Sequence, residues 1–490
     1  MTNKVSIHCL ATGVPGLDVV LGGGLPEFSF NLIAGQPGCG KTTLAHQIMF
    51  AQATVERTAM YFTVLGEPPL KMLRYQQQFD FFDDKAINER VRFINLSEEA
   101  MAGDLDRVLR RIVEEVATHA PALVFVDSFR SVILAGESSG ASGNSLQQFV
   151  QQLGMLMTTW QATTFLIGEY FNENDGNPVF TVADGLIWLR QSVQRNSMVR
   201  KMEILKMRGK ATVAGLHTYR IGNSGIEVFA PAGGVVSVHP AAVVDAALSA
   251  RALLGVPGLD EMLGGGLPRG FSLLVAGPSG SGKSILAESF LAEGARCGEK
   301  GVIAAFEQRP NRERSPVLAK LIAAGSVVVI NSQSPDLSID EIVLLLIGEV
   351  RRHNASRVVI DSLSGFELAL APAFRDDYRE SLLRLVKALS DVGVTLLMTS
   401  ELEDRYTDLR FSPYGTAFLT DAIVVQRYIE VESRLRRVVA VVKVRASAHS
   451  DELREYTITG DGIHIGQRLP NQEGLLGGRP TRKDGTLPSP

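Results

Sequence analysis

The chain has 490 residues, 45% hydrophobic and 21% charged, with 49 Lys+Arg against 53 Asp+Glu and a net charge of −4. That composition excludes collagen, coiled coil and wholesale disorder. It also lacks the basic excess of a protein built to grip nucleic acid, so a nucleic-acid partner is not expected.

No stretch approaches the ~20 apolar residues that span a bilayer, and Met1–Ser6 lacks a signal-peptide core. Cys9, Cys39 and Cys297 lie far apart and form no CxxC pair. A disulfide framework or zinc site is therefore not expected, and the cytoplasm is the expected compartment. At about 150 residues per domain, the length alone suggests three domains.

In chain order, short apolar strands are predicted near Phe30–Ala34, Ala59–Leu65, Ala122–Val126 and Thr164–Ile167, with helical segments between them. Continuous apolar strands alternating with helices imply a parallel sheet covered on both faces. Ala183–Arg190 and Met202–Met207 read as hairpin strands. The series then recurs: Ser272–Ala276, Gly301–Phe306, Arg357–Ile360 and Val394–Met398, followed by Ala422–Ile429 and Arg437–Val444.

The recurrence is a true repeat. Gly13-Val-Pro-Gly-Leu-Asp18 returns as Gly255–Asp260, and Gly22-Gly-Gly-Leu-Pro26 as Gly264–Pro268, each 242 residues on. The length therefore divides into two copies of one α/β unit rather than three domains. The expected boundaries are 1–235 for the first domain, a turn-rich linker at 236–248, the second domain at 249–470, and a flexible tail at 471–490.

Each copy carries a complete GxxxxGK[ST] phosphate loop. In the first, Gly35, Gly38 and Gly40 precede Lys41, Thr42 and Thr43; in the second, Gly277, Gly280 and Gly282 precede Lys283 and Ser284. The glycines let backbone N–H groups point at phosphates, and the following helix adds its positive end. Lys41 and Lys283 neutralise β/γ oxygens as catalytic cations, and the Thr42 and Ser284 hydroxyls are Mg²⁺ ligands. Asp127 and Asp361, each closing an apolar strand, are the partner acids for the metal. ATP and Mg²⁺ are the expected cofactors.

Hydrolysis needs a group to orient water. Glu307 follows the strand 302–306 and is the candidate base of the second site. The first copy places Leu65 opposite it; its nearest carboxylate, Glu67, lies two residues, roughly 6–7 Å, further on. Slower hydrolysis is expected at the first site. Glu169 and Glu401 follow central strands, as phosphate sensors or as plain strand-end charges. Cys39 lies inside the first loop, as a small residue that fits or as a thiol whose oxidation or alkylation would block ATP.

The tandem loops, Thr12–Asp18, Asp127-Ser128 and Lys206-Met-Arg208-Gly209 together resemble the KaiC family of clock-type ATPases across nearly the whole chain. The resemblance implies two tandem RecA-like P-loop domains stacked as rings in a homohexamer, with ATP between neighbouring subunits. It also implies that Lys206 and Arg208, and Lys443 and Arg445, reach the nucleotide of the adjacent subunit, in the manner of an arginine finger. A signalling switch, with KaiB-like or histidine-kinase-type partners, is the implied function. A Ser/Thr autokinase of the second domain is the alternative, and a RecA-like DNA motor the third. The family's phosphorylated Ser-Thr pair is matched here by Ala417 and Phe418, which cannot accept phosphate; Ser412, Thr416 and Thr420 are the nearby hydroxyls.

Overall fold

Strands that are buried along their whole length need cover on both faces, and helices supply it in each half of the chain. The computed structural model describes residues 7–64, 69–102, 104–138, 143–172, 177–231, 250–306, 315–331, 336–402, 419–431, 433–468, 472–473 and 481–482. Two compact units emerge, Met1–Val235 and Val236–Pro490.

Unit one is a nine-stranded sheet. From one edge to the other it runs Val91–Asn95, Ala59–Thr63, Leu123–Asp127, Thr163–Glu169, Phe30–Gly35, Gly185–Gln194, Ser197–Met207, Leu216–Gly222 and Gly225–Phe229. The first six are mutually parallel, and the last three continue as an antiparallel meander. Unit two repeats the order strand for strand, from Val327–Asn331 through the central Ser272–Gly277 to Gly462–Arg468. Each unit is thus a RecA-like α/β domain, as the sequence reading expects.

Alternation along the strands sorts side chains to two cores. In unit one, Ile33, Tyr61, Phe125, Ile167 and Leu189 pack under Leu44 and Ile48 of the phosphate-loop helix Lys41–Gln52. Leu32, Phe62, Val124, Leu166 and Trp188 face Ile112 of helix Leu105–His119 and Val150 of helix Gly143–Thr159. The edge strand Val91–Asn95, half exposed, and the meander beyond Met207 were not among the predicted strands.

Unit two adds a buried cation. Arg357 is 2% exposed, donates to Leu253 O at 2.7 Å and Phe290 O at 2.8 Å, and lies 4.5 Å over the Phe290 ring. Glu299 is its counter-ion and also pairs with Arg269. A buried guanidinium so completely satisfied is structural.

The repeated Gly-Val-Pro-Gly-Leu-Asp motif is a folding device. Asp18 accepts from Thr12 N at 2.9 Å and Thr12 Oγ1 at 2.8 Å, and Asp260 accepts from Leu254 N at 2.7 Å. Gly16 sits at φ 76°, where an added Cβ would lie 1.8 Å from Val228 O. The motif closes the start of each unit over its end.

The linker 236–248, Leu65, Glu67, Glu307, Ser412 and Thr416–Phe418 lie outside the described residues. Within the stretch read as a tail, Gln472–Glu473 and Thr481–Arg482 pair as antiparallel strands. No helix among the described residues is long and apolar enough to cross a membrane.

Candidate functional site

Each central strand delivers its phosphate loop at its C-terminal end, beside the acid strand one place removed. Gly40 and Gly282, at φ 96° and 98°, cap the helices Lys41–Gln52 and Lys283–Arg296. The left-handed conformation suits glycine alone among common residues here. The helices close their first turns at Leu44 N and Leu286 N, so the N–H groups of Lys41–Thr43 and of residues 283–285 have no helical acceptor. Those donors and the helix dipole form an anion cradle.

Both lysines fold back over their loops. Lys41 Nζ donates to Gln36 O at 2.9 Å; Lys283 Nζ donates to Gly277 O and Pro278 O, each at 2.8 Å. Burial lowers the Lys283 pKa, opposed by the Glu401 and Asp361 carboxylates. Two tyrosines missed in the sequence reading brace the loops: Tyr219 Oη donates to Cys39 O at 2.5 Å and Tyr456 Oη to Ser281 O at 2.6 Å. They lie 237 residues apart, off the 242-residue offset, which hid the correspondence.

The metal-ligand candidates meet in unit one. Thr42 Oγ1 donates to Asp127 Oδ2 at 2.7 Å, and Tyr61 Oη donates to the same oxygen at 2.8 Å. Burial raises the Asp127 pKa, with Thr42, Tyr61 and Lys41 pulling it down. Two hard oxygen donors beside a phosphate cradle fit Mg²⁺, which prefers one or two protein oxygens plus phosphate and water. Among the described residues no cluster of three or more His, Cys, Asp or Glu side chains could hold a metal ion without such help.

Unit two changes the supporting donor. Ile303 stands where unit one has Tyr61, and Asp361 accepts instead from Thr399 Oγ1 on the neighbouring strand. Ile167 is the unit-one neighbour of Asp127 at that register. A hydroxyl is therefore conserved in function and exchanged in strand. The peptide after each acid, Asp127-Ser128 and Asp361-Ser362, is cis.

Glu169 and Glu401 end their strands in register with Gly35 and Gly277, exposed at the loop. His46, four residues past Thr42, is fully buried against Tyr61 at 4.5 Å, and burial lowers its pKa to about 4. Its counterpart is Glu288, which accepts from Ser315 Oγ at 2.6 Å.

The basic pairs lie elsewhere. Lys206 is in register with Leu186, itself opposite Leu32, near the start of the central strand, whereas the phosphate loop follows Gly35 at its other end. Three residues along and two strand spacings across separate them from their own loop, roughly 10 Å in each direction. Lys206 Nζ donates to Thr181 O at 2.9 Å, and Arg208 pairs with Asp184 at 3.0 Å. Lys443 donates to Thr420 O at 2.6 Å, and Arg445 pairs with Asp421 at 3.3 Å. Burial, then the adjacent arginine, lowers the pKa of Lys206 and of Lys443. The structure does not bring these four cations to the nucleotide cradle of their own unit.

Two glycine-rich loops at the C-terminal ends of parallel strands, each with a capping helix, a lysine and a buried acid, define a tandem P-loop ATPase. The model of the KaiC ATPase family matches residues 10–233 and again 253–469. The chain belongs to that family. It is similar to the circadian clock oscillator protein KaiC of Rippkaea orientalis, 26% identical over 97% of this chain and 92% of the relative. It is also similar to KaiC 1 of Synechocystis sp., 26% identical over 98% and 93%, and to KaiC of Prochlorococcus marinus, 25% identical over 98% and 97%.

Proposed function

We propose that the protein works as a homohexamer, with ATP held between neighbouring subunits and nucleotide state setting which signalling partner it binds. One observation carries this: Lys206, Arg208, Lys443 and Arg445 sit at the far end of the sheet from their own phosphate loops. A cation so placed is useful to a nucleotide only if the nucleotide belongs to another copy, as an arginine finger requires. KaiB-like or histidine-kinase-type partners are the candidates, by analogy with the clock proteins that the chain resembles.

Lys41 and Lys283 hold and neutralise the phosphates, and Gly35, Gly38, Gly40 and Thr43, with Gly277, Gly280 and Gly282, shape the cradle. Thr42 and Asp127 would hold Mg²⁺ in site one, and Ser284 and Asp361 in site two; when bound, the ion offsets charge on the β/γ oxygens. Glu307 orients the attacking water in site two, and Glu67 is its weaker counterpart in site one, where we expect slower turnover.

The autokinase reading draws no help from Thr420, whose residue is 1% exposed. A DNA motor is disfavoured by the net charge of −4.

Native mass with and without ATP tests the assembly. Six copies of the 53.0 kDa chain are expected with ATP. Full ATPase activity from a species that stays at single-chain mass would overturn the reading. Mixing Lys41→Ala,Lys283→Ala chains with Arg208→Ala,Arg445→Ala chains should restore activity that each alone lacks, because one supplies the cradle and the other the cations.

A further inference from the structure

The stretch after each Lys-x-Arg pair is clamped to the opening turn of its own unit. In unit one, Val213 N donates to Val20 O at 2.9 Å, and Lys210 Nζ donates to Gly24 O at 2.9 Å while lying 3.1 Å from Cys9 Sγ. In unit two, Ser450 N donates to Met262 O at 2.8 Å, and Arg251 donates to Gly266 O at 2.8 Å and Ser447 Oγ at 2.6 Å. Cys9 and Arg251 hold the same place in the two units, as do Lys210 and Ser447. The cation has moved to the opposite partner, yet the contact and its carbonyl acceptor persist. A clamp kept through such an exchange is built into the fold, and in unit one alone it joins an amine to a thiol.

We propose that Cys9 and Lys210 are a modification site, forming a sulfenamide cross-link when a peroxide oxidises the thiol. The Cys9 sulfur, reacting as thiolate, attacks one peroxide oxygen. An S–O bond forms, the O–O bond breaks, and the departing hydroxide takes up the thiol's proton as water, leaving a sulfenic acid. Lys210, its ammonium proton given to solvent, then attacks sulfur. An S–N bond forms, the S–O bond breaks, and a second water leaves with an amine hydrogen. In sum, thiol, amine and one hydrogen peroxide give sulfenamide and two waters; sulfur loses two electrons and the peroxide gains them.

Position favours this pair over the other cysteines. Cys9 is exposed to an oxidant, and Lys210 is already held at its sulfur, so the second step is effectively unimolecular. Cys39 lies 4.0 Å from Lys41 Nζ but is buried, and Cys297 is exposed but has the Glu293 carboxylate at 3.7 Å. The link would fasten the end of the Lys206–Arg208 strand to strand Cys9–Leu10. Its effect on turnover rests on the proposed trans role of those cations; the link itself does not.

Full-length protein is treated with hydrogen peroxide, digested without reductant and analysed by mass spectrometry. The expected product is a Cys9 peptide joined to a Lys210 peptide, lighter by two hydrogens than their sum, reversed by dithiothreitol, and absent from Cys9→Ser and Lys210→Arg chains. Arginine at 210 keeps a donor for Gly24 O, so its loss of the link is not a folding defect. Cys9 stopping at sulfenic or sulfinic acid, a joined pair that retains one oxygen, or equal cross-linking in Lys210→Arg would each overturn the proposal. ATPase activity is read before and after oxidation: an active enzyme that forms no link sinks only this inference, and a protein that forms the link but has no ATPase activity before peroxide is added sinks only the functional reading.

Discussion

Replacing Tyr61 by Phe isolates the contribution of one hydroxyl to Asp127, the proposed metal acid of site one. Asp127 Oδ2 accepts from Thr42 at 2.7 Å and from Tyr61 at 2.8 Å, while burial, with a smaller push from the Glu169 carboxylate, drives its carboxyl pKa upward. A hydrogen bond to a charged group contributes about 1.5–3 kcal/mol. At about 1.4 kcal/mol per factor of ten, its loss corresponds to a roughly 10- to 100-fold weaker hold on the metal, the range seen when an outer-shell partner is removed. Phenylalanine keeps the ring stacked on Phe125 at 5.8 Å and against His46, so the core is preserved. Ile303 at the matching place in unit two demonstrates that this sheet position tolerates an apolar side chain. The assay is Mn²⁺ paramagnetic resonance with a non-hydrolysable ATP analogue, in Lys283→Ala chains so that only site one is occupied. The metal midpoint should rise 10- to 100-fold and the defect should deepen as the pH falls, because Asp127 ionises less readily. Thr399→Val should leave this midpoint alone. A Tyr61→Phe midpoint within twofold of the parent would refute the assigned role.

Burial lowers the His46 pKa from 6.5 to about 4, so the fold favours the neutral ring. That contribution is complete above about pH 6.5 and lost as the pH falls through about 4, on the order of 3 kcal/mol; His46→Leu should flatten this part of unit one's pH profile in thermal unfolding. Arg357→Ala strips a buried ion pair of its cation and should cost unit two about 3–5 kcal/mol; calorimetry should show one transition moving and the other fixed. Gly40→Ala forces a side chain into φ 96°, with its Cβ 2.6 Å from Ile221 Cδ1. The left-handed cost alone is about 1–2 kcal/mol, so site-one ATP affinity should fall about tenfold by calorimetric titration. Glu307→Gln should remove most steady-state ATPase activity with ATP still bound; retained activity would make site one the faster engine.

The parallel cores were legible because their strands read as unbroken apolar runs, and the phosphate loops because their glycines and lysine sit at fixed spacing. Asp127 and Asp361 were legible for the same reason, each closing such a run. The half-exposed edge strand Val91–Asn95 was not, since its Arg92 and Asn95 dilute the apolar signal. Nor were Tyr61 and Thr399, because the donor comes from different strands in the two units and only sheet register reveals the exchange. The Lys-x-Arg pairs were visible as residues, but a sequence does not say at which end of a sheet a strand finishes. Antiparallel pairing of Ser197–Met207 with Gly185–Gln194 carries them away from their own loop.

Asp184 is a carboxylate with two clients. One oxygen accepts from Phe30 N at the start of the central strand, and the other holds Arg208; Asp421 serves Ser272 N and Arg445 in the same way. The strand end of the bargain is fixed by backbone, whereas the arginine end is an exposed ion pair contributing about 0.2–1 kcal/mol. Arg208 can therefore let go at little cost while its anchor stays put. Held among the described residues only by that exposed ion pair and the Thr181 carbonyl, the guanidinium is lightly restrained, so in the proposed assembly a neighbouring subunit's phosphate would displace the aspartate without the sheet having to move.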